Sequence, residues 1–450
     1  MDNKLAREFH TGSLIRFALP NIVMMVFMSL YTIVDGMFIS HLVGTLALSA
    51  VNMSYPLSSL QLALGIMLGT GGSAVIAREM GEGKDALARE DFSCIVAVAL
   101  GTGVVFALAG NFFLGPILEL LGTSEVQMPY TVEYTRILLW FAPAMFLQTV
   151  FQVLFVTAGK PTLGLGTTVA GGISNVVLDY LFMAPLHSGV AGAAIATGIG
   201  YCIPAAAGLW YFCRPRDSAL WFTRFHPRRR MLLQTCGNGS SEMVSNIATA
   251  ITTFLFNILF LRFWGEDGVA SITIAMYFQF VFTAVFFGFS MGVAPVISYK
   301  YGAQDADQLK KIFRICLWFT IFCSVGAYAL SRVVIAPSLT LFTDPDSTVF
   351  AITMDGFPIY AVSFLLMGIS IFASALFTAL SNGLVSAVIS FARTFLFLVG
   401  MLMLLPELWG ETGIWLAVPA AEGLGVLVSV GFLLWGRRVY QYGASRSEKT

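Results

Sequence analysis

Long apolar runs, separated by short polar or glycine-containing turns, make up most of this chain. Twelve runs can be marked, and each is long enough for a membrane-spanning helix, which needs about 20 residues. Runs longer than about 25 residues are expected to tilt, kink or protrude. The pattern predicts an all-α polytopic membrane protein with twelve transmembrane helices. The runs cover residues 14–39, 47–77, 92–118, 131–157, 162–183, 190–213, 238–263, 269–298, 312–335, 350–379, 384–405 and 413–436.

Lysine and arginine are distributed unevenly among the turns. If the N-terminus is placed in the cytoplasm, 21 of the 25 Lys and Arg residues fall in cytoplasmic segments. Cytoplasmic loops of membrane proteins carry an excess of positive charge of this kind. An even number of spans returns the chain to its starting side, so both termini are predicted to be cytoplasmic.

The twelve runs form two similar halves of six. The second run ends in IAREMGEGK and the eighth in ISYKYGAQD, so Gly81 corresponds to Gly302 at an offset of 221 residues. Two six-helix units of equal orientation must be related by a pseudo-two-fold axis along the membrane normal, with a substrate cavity between them. The predicted units are an N-terminal lobe, 1–213, and a C-terminal lobe with a short cytoplasmic tail, 232–450. The basic cytoplasmic linker between them, 214–231, is either a plain loop or a contact for anionic lipids.

Composition narrows the class of protein. Hydrophobic residues make up 57% of the chain and charged residues 11%, whereas a water-soluble protein carries about 25% charged residues. The formal net charge of zero gives no reason to expect nucleic-acid binding. The six cysteines form no C-x-x-C pair and are expected to be reduced packing residues, and the four histidines have no metal-binding spacing. No metalloprotease, nucleophile-elbow or paired-aspartate motif predicts an enzyme.

One acidic residue stands inside the first apolar run. Asp35 lies in the stretch YTIVDGMFIS, toward the far end of a run that only Pro20 and Asn21 interrupt. A carboxylate within a transmembrane helix costs roughly 2.5–3.5 kcal/mol on insertion scales, so it is a functional-site hypothesis by default. The alternative is an acid at the helix end that faces lipid headgroups or water. Pro20 itself predicts a kink, because proline removes a backbone hydrogen bond.

A second polar group lies in the fifth run. Asn175 and Asp179 are four residues apart and therefore share one helix face. The directions of the helices bring Asp35, Asp179, Thr197 of the sixth run and Tyr134 of the fourth to the outer half of one bundle. Such oxygen groups suit a proton or a hard cation. Two nearby acids could not both ionise freely, so the pair would titrate jointly. The alternative is that Asn175 and Asp179 only cap or join helices.

The second half does not repeat this pattern. Asn257 stands opposite Asp35, and the N-x-x-x-D motif is missing. Charged residues instead occupy other positions in its apolar runs: Glu242, Asp355, Arg393 and Glu422. An arginine between two glutamates in hydrocarbon is expected to pair. The cluster is either a buried ion-pair strut or a substrate or second coupling site, and Gln152 and Gln279 are further candidates for the cavity lining.

Four stretches carry a resemblance to a known family: LPNIVMMVFMSLYTIVDGMFIS, GTGGSAVIAREMGEGK, GKPTLGLGTTVAGGISNVVLDYLF and GVAGAAIAT. Together with the repeat they cover nearly the whole chain, which resembles the multidrug and toxic-compound extrusion (MATE) family, and more closely its DinF-type bacterial branch. The resemblance implies a twelve-helix antiporter of two six-helix lobes in a bacterial cytoplasmic (inner) membrane. It also implies that Pro20 is a bend in the first helix that shifts when the site changes state. The implied proton or Na⁺ site consists of Asp35, Asn175, Asp179 and Thr197, with Tyr134 beside it.

The predicted function is secondary active antiport, in which hydrophobic or cationic drugs and toxic organic compounds leave in exchange for H⁺ or Na⁺. No cofactor is expected beyond the coupling ion. The expected partners are small organic molecules and membrane lipids, and a monomer is expected to be functional. The alternative is a flippase for a lipid-linked saccharide or another amphiphile. A flippase for polyanionic headgroups would carry several cations in its cavity, whereas Arg393 and Arg136 are the only candidates in this sequence.

Overall fold

The computed structural model describes residues 4–43, 45–215, 219–340, 343–440 and 442, without the side chains of residues 36–42 and 45–50. Residues 216–218 of the predicted linker and nearly all of the predicted tail lie outside the described residues. Regular structure in the described part of the chain is helical throughout. The helices are α1 (Thr11–Leu42), α2 (Thr45–Gly81), α3 (Asp85–Phe112), α4 (Leu114–Leu120), α5 (Met128–Trp140), α6 (Ala142–Thr157), α7 (Pro161–Met183), α8 (Gly189–Phe212), α9 (Arg229–Gly302), α10 (Ala306–Leu339), α11 (Thr348–Tyr360), α12 (Ser363–Ala379), α13 (Gly383–Phe391) and α14 (Leu398–Val439), with a π-helical turn at Ala392–Phe397.

These helices provide twelve membrane spans within the described chain. Seven continuous helices are long and apolar enough to cross a bilayer, and two bent pairs, α5 with α6 and α11 with α12, bring the number to nine. Helix α9 turns at Gly265 and helix α14 at Gly410, in backbone conformations with positive φ that only glycine adopts readily, so each break adds one span. Helix α7 completes the set. The predicted all-α, twelve-helix architecture is confirmed.

Two of the predicted runs are bent rather than straight. The run 131–157 breaks between α5 and α6 with an angle of 57°, and the run 350–379 breaks between α11 and α12 with an angle of 50°. Pro143 stands in the first turn of α6, and Pro358 stands near the end of α11. Proline lacks the backbone N–H and clashes with the preceding turn, so a helix bends or ends beside it.

The spans are arranged in two lobes that join at one end of the bundle. We call this end the terminal face, because residues 4–10, the linker segment 219–228 and Tyr442 lie there. A single apolar core crosses both lobes at the terminal face and includes Phe17 of the first lobe and Phe372 of the second. Toward the opposite face the cores are separate, one in the second lobe and two smaller ones in the first. The lobes therefore part toward the face opposite the terminal one.

Helices α2 and α9 form the closest contact between the lobes. A Cβ atom on Gly81 would lie 2.1 Å from the Tyr299 carbonyl oxygen, and one on Gly302 would lie 2.2 Å from the Arg78 carbonyl oxygen. Small residues allow helix backbones to approach each other in this way. Each residue of one contact is 221 positions from its counterpart in the other, so the contact repeats itself about the pseudo-two-fold axis that the sequence predicts.

Candidate functional site

Two acidic side chains from different helices of the first lobe face each other. Helix α1 carries Asp35 and packs against α7, which carries Asp179. The Asp179 side chain is fully buried, and its carboxyl group lies within hydrogen-bonding reach of the Asp35 carboxyl group. These residues are 144 positions apart in the sequence. Because α1 and α7 are spans that run in the same direction, their packing brings the two acids to the same depth.

The facing carboxyl groups lack ordinary hydrogen-bond donors. Oδ1 of Asp35 and both carboxyl oxygens of Asp179 are buried and make no hydrogen bond of normal geometry with any described donor. Leaving two such groups ionised would combine like-charge repulsion with the cost of burying each charge. The arrangement can be satisfied in two ways: one proton shared between the carboxyl groups, or a small cation bound by their oxygens.

Three further predicted residues surround the pair. Asn175 is 1% exposed, and its Nδ2 donates to Thr197 Oγ1 at 3.2 Å. The Thr197 hydroxyl in turn donates to the Ala193 carbonyl oxygen at 2.9 Å. These bonds fix the amide so that Asn175 Oδ1 is free of described donors and joins the unsatisfied oxygens. Tyr134 is buried beside Thr197 and within electrostatic reach of both acids.

Two tyrosines complete the site, and both lie outside the set of residues predicted from the sequence. Tyr31 lies among Asp35, Asp179, Tyr134 and Tyr201, and Tyr201 lies near Asp35. Tyr31 is one helical turn before Asp35, and Tyr201 is one turn after Thr197. This one-turn spacing from a predicted site residue is the sequence signal that could have identified the two tyrosines.

The site offers oxygen atoms and no other ligand type. The unsatisfied oxygens of Asp35, Asp179 and Asn175 are of the type that hard cations such as Na⁺ prefer as ligands. The carboxyl oxygens can instead bind a proton. Within the described residues, no group of three or more His, Cys, Asp or Glu side chains could hold a metal ion.

The second lobe contains a charged cluster of a different kind. Arg393 Nε donates to both carboxylate oxygens of Glu422 at 2.9 Å, and the two side chains are 10% and 7% exposed. Glu242 is also buried and lies within electrostatic reach of Arg393. Arg393 stands in the π-helical turn, a local widening that occurs frequently at functional sites. The predicted pairing of the arginine with a glutamate is present.

The remaining predicted residues do not join this cluster. Gln152 is directed into the first lobe, where its Nε2 contacts Met28 Sδ at 3.5 Å and Thr168 Oγ1 at 3.4 Å. Gln279 accepts a hydrogen bond from the Tyr360 hydroxyl. Asn257 is half-buried on α9, and Asp355 is exposed on α11 with no ion pair to any described residue.

The predicted hinge residue, Pro20, lies within α1, and the helix continues through it.

Comparison with known proteins identifies the family. The MatE family model matches residues 20–181 and matches again at residues 243–402. The chain belongs to the MATE family. The two matches to one model correspond to the two lobes, and MATE membership makes this protein a transporter rather than an enzyme.

Several known transporters resemble this chain over nearly its whole length. The multidrug export protein MepA of Staphylococcus haemolyticus is 25% identical over 433 residues, which are 95% of this chain and 93% of that protein. A multidrug resistance MATE family transporter solved in an outward-facing conformation has a TM-score of 0.89 at 22% identity, with 97% of each chain covered. A MOP superfamily transporter from Pyrococcus furiosus has the same TM-score and identity with 98% of each chain covered, and its binding pocket is described as reversed in polarity, suggesting a different function.

Proposed function

We propose that this MATE transporter is an antiporter that exports hydrophobic or cationic organic compounds, including drugs, in exchange for H⁺ or Na⁺ bound at Asp35 and Asp179. The facing carboxyl groups carry this proposal, because their buried, unsatisfied oxygens require a proton or a cation. The likeness to the multidrug export protein MepA supports the class of substrate. We further propose that the protein works as a monomer in a bacterial inner membrane, with both termini in the cytoplasm.

The coupling ion would act by changing the shape of α1. When the ion is bound, Asp35 and Asp179 lie together at little electrostatic cost. When it leaves, repulsion between the two carboxylates favours a state in which α1 moves away from α7, and Pro20 is the place where α1 lacks a backbone hydrogen bond and bends most easily. The ion shifts the equilibrium only by its difference in affinity for the two states. Asn175, Thr197 and Tyr134 would position the ion in the state that binds it more tightly.

Glu242 is the acid of the second lobe that is available to a cationic substrate. It lines a small cavity between the lobes together with Thr70 and Ser73 of α2 and Thr378 of α12. The nearby Arg393 is held by Glu422 through two hydrogen bonds, so we assign that pair as a strut. This assignment also weighs against a flippase for polyanionic headgroups, because the arginine that would bind the headgroup is already neutralised.

Transport by purified protein in proteoliposomes tests the proposed function. A pH gradient and a Na⁺ gradient are imposed separately, and the movement of a panel of fluorescent cationic dyes, drugs and a lipid-linked saccharide is followed. Dye movement against its gradient, driven by one of the two ions, is the expected result. Movement of the lipid-linked saccharide alone, or dye movement that neither ion gradient alters, would overturn the proposal.

A further inference from the structure

Two non-helical segments lie across the terminal face, and each precedes the first helix of a lobe. The arm, residues 4–10, leads into α1, and the strap, residues 219–228, leads into α9. Arg7 of the arm and Arg228 of the strap are separated by the repeat offset of 221 residues. The two segments are therefore equivalent under the pseudo-two-fold axis.

The strap leads into the second lobe but is fixed to the first. Arg228 donates from Nε to Asp91 Oδ1 of α3 at 3.2 Å and from Nη2 to Glu79 Oε1 of α2 at 3.1 Å. Its Nη2 also contacts Asp91 Oδ2, and Asp91 is 1% exposed. Burial alone would lower the pKa of Arg228, but its hydrogen bonds with Asp91 and Glu79 raise it, so the guanidinium stays charged. Upstream, the Thr223 N–H donates to Ser93 Oγ at 2.9 Å.

The arm leads into the first lobe but is fixed to the second. Lys300, at the end of α9, donates from Nζ to the Ala6 carbonyl oxygen at 3.1 Å, and its side chain is 4% exposed. The Phe9 N–H donates to Gln308 Oε1 of α10 at 3.2 Å. Leu5 and Phe9 are fully buried in the core that joins the two lobes. The arm is thus a packed part of the terminal face.

The anchoring positions are also equivalent. Glu79, which binds the strap, and Lys300, which binds the arm, are 221 residues apart and stand at the same point of the second helix in each lobe. Each lobe therefore receives, at that point, the segment that leads into the other lobe. The two anchoring side chains differ in charge, because Glu79 is acidic and Lys300 is basic. In both cases, however, the segment that precedes one lobe is bound by the other lobe.

From this geometry we infer that the arm and the strap form a two-part latch, which holds the terminal face closed and must release from both anchors when that face opens. Opening separates α2 from α9 and leaves Asp91 without the arginine that compensates its burial. Lys300 loses the Ala6 carbonyl oxygen, while its ion pair with Asp305 stays within the second lobe. The latch thus stabilises the closed terminal face and sets how often it opens. The inference concerns this equilibrium and does not depend on which compound is transported.

Distance measurement across the terminal face tests the latch. Spin labels are placed at Ala86→Cys and Asp307→Cys, two exposed positions that are equivalent in the repeat, after the six natural cysteines are replaced. Double electron–electron resonance in nanodiscs then reports the distance between the lobes. Arg228→Gln and Lys300→Met are each expected to raise the population of long distances by roughly fivefold or more, within the usual range for coupling between sites. Arg230→Gln, an exposed arginine of the same basic segment, is the matched control and is expected to leave the distances unchanged.

The inference is overturned if folded, monodisperse Arg228→Gln and Lys300→Met proteins give the distance distribution of the parent. Should either variant fail to fold, Arg228→Lys, which keeps the charge but loses the forked geometry, or Phe9→Ala, which loses the apolar anchor, takes its place with the same two outcomes. A second test joins the arm to α10 by cross-linking His10→Cys with Lys311→Cys, whose natural side chains are in contact. Dye transport is expected to stop and to resume after cleavage of the cross-link. Only this second test rests on the proposed function, so a failure of that function leaves the distance measurement decisive.

Discussion

At the scale of single residues, the oxygens that lack donors determine what the first-lobe site can do. Asp35 Oδ1, Asn175 Oδ1 and both carboxyl oxygens of Asp179 are buried without donors among the described groups. In an apolar environment each unsatisfied polar group is costly, so a shared proton or a bound cation would stabilise the cluster. The site therefore has a physical reason to bind an ion that does not depend on any relative.

The Thr197 hydroxyl sets the orientation of the Asn175 amide. Thr197→Val removes the acceptor of Asn175 Nδ2 without a large change in volume. A buried donor left unsatisfied costs about 1–3 kcal/mol, so the affinity for the coupling ion is expected to fall roughly 5- to 150-fold. The measurement is transport rate against pH or Na⁺ concentration. Thr167→Val on α7, the helix that carries Asn175, is the control, because the Thr167 hydroxyl donates only to carbonyls of its own helix. Equal ion affinities in the two variants would contradict the role given to Thr197.

The charged residues of the second lobe divide into a structural pair and an available acid. Glu422→Gln leaves Arg393 buried without its counter-charge, and the expected loss of stability is about 3–5 kcal/mol. Glu242→Gln removes no hydrogen bond of the described chain and is expected to keep the thermal stability while weakening transport of cationic compounds. Thermal unfolding in detergent and transport of a cationic and a neutral dye separate the two. A stable Glu422→Gln variant with lost transport would reverse the assignments.

Sequence reasoning reached most of these residues, but not all of them. The i, i+4 spacing of Asn175 and Asp179 and the helix directions were sufficient to group five of the side chains. Tyr31 and Tyr201 were not predicted as site residues, because an aromatic residue in an apolar run is ordinary. Only the three-dimensional packing shows that these two tyrosines lie near carboxyl groups. Asp355 was included on charge alone, and its exposed position on α11 separates it from Arg393.

At the scale of helices, contact between the lobes depends on positions without a side chain. Gly81→Ala would place a Cβ 2.1 Å from the Tyr299 carbonyl oxygen, so α2 and α9 must move apart. Overpacking of this kind costs typically 1–3 kcal/mol. We expect a lower melting temperature and a shift toward an open terminal face. Gly101→Ala is the control, since no atom lies within 4 Å of its Cβ position, and it is expected to be neutral or slightly stabilising. Equal melting temperatures for the two variants would show that the contact is not tight.

The lengths of the helices were less predictable than their number. Hydrophobic runs gave twelve spans, but they did not distinguish a straight helix from the bent pairs α5–α6 and α11–α12. A proline in an apolar run ends a helix in one context and is tolerated in another: Pro143 accompanies a bend of 57°, whereas α1 continues through Pro20. The difference depends on neighbouring helices, which a single sequence does not specify.

At the scale of the whole molecule, one architecture carries two different polar sites. The lobes share their six-helix plan and their close contact at Gly81 and Gly302, yet the first lobe contains facing acids and the second contains a neutralised arginine. A repeat offset of 221 residues was sufficient to predict the axis between the lobes. The offset pairs Lys300 with Glu79 but could not predict that they anchor the arm and the strap, because the two side chains are opposite in charge.

In the proposed transport cycle the two lobes have separate tasks. The ion site in the first lobe would bias the shape of α1, the cavity beside Glu242 would receive the substrate, and the shared core at the terminal face would keep the lobes together while they move. Each ligand shifts the equilibrium only through its difference in affinity between the two states. Exchange therefore requires that the ion stabilises one state and the substrate stabilises the other.

The most direct test of the coupling site is ion-driven dye transport by Asp35→Asn and Asp179→Asn in proteoliposomes. Both substitutions remove a titratable oxygen at nearly constant volume, and Glu133→Gln, an exposed acid next to Tyr134 in the sequence, is the matched control. Both aspartate variants are expected to lose transport driven by the ion gradient while retaining dye binding, and the control is expected to transport at the parent rate. Gradient-driven transport at the parent rate by both aspartate variants would contradict the account.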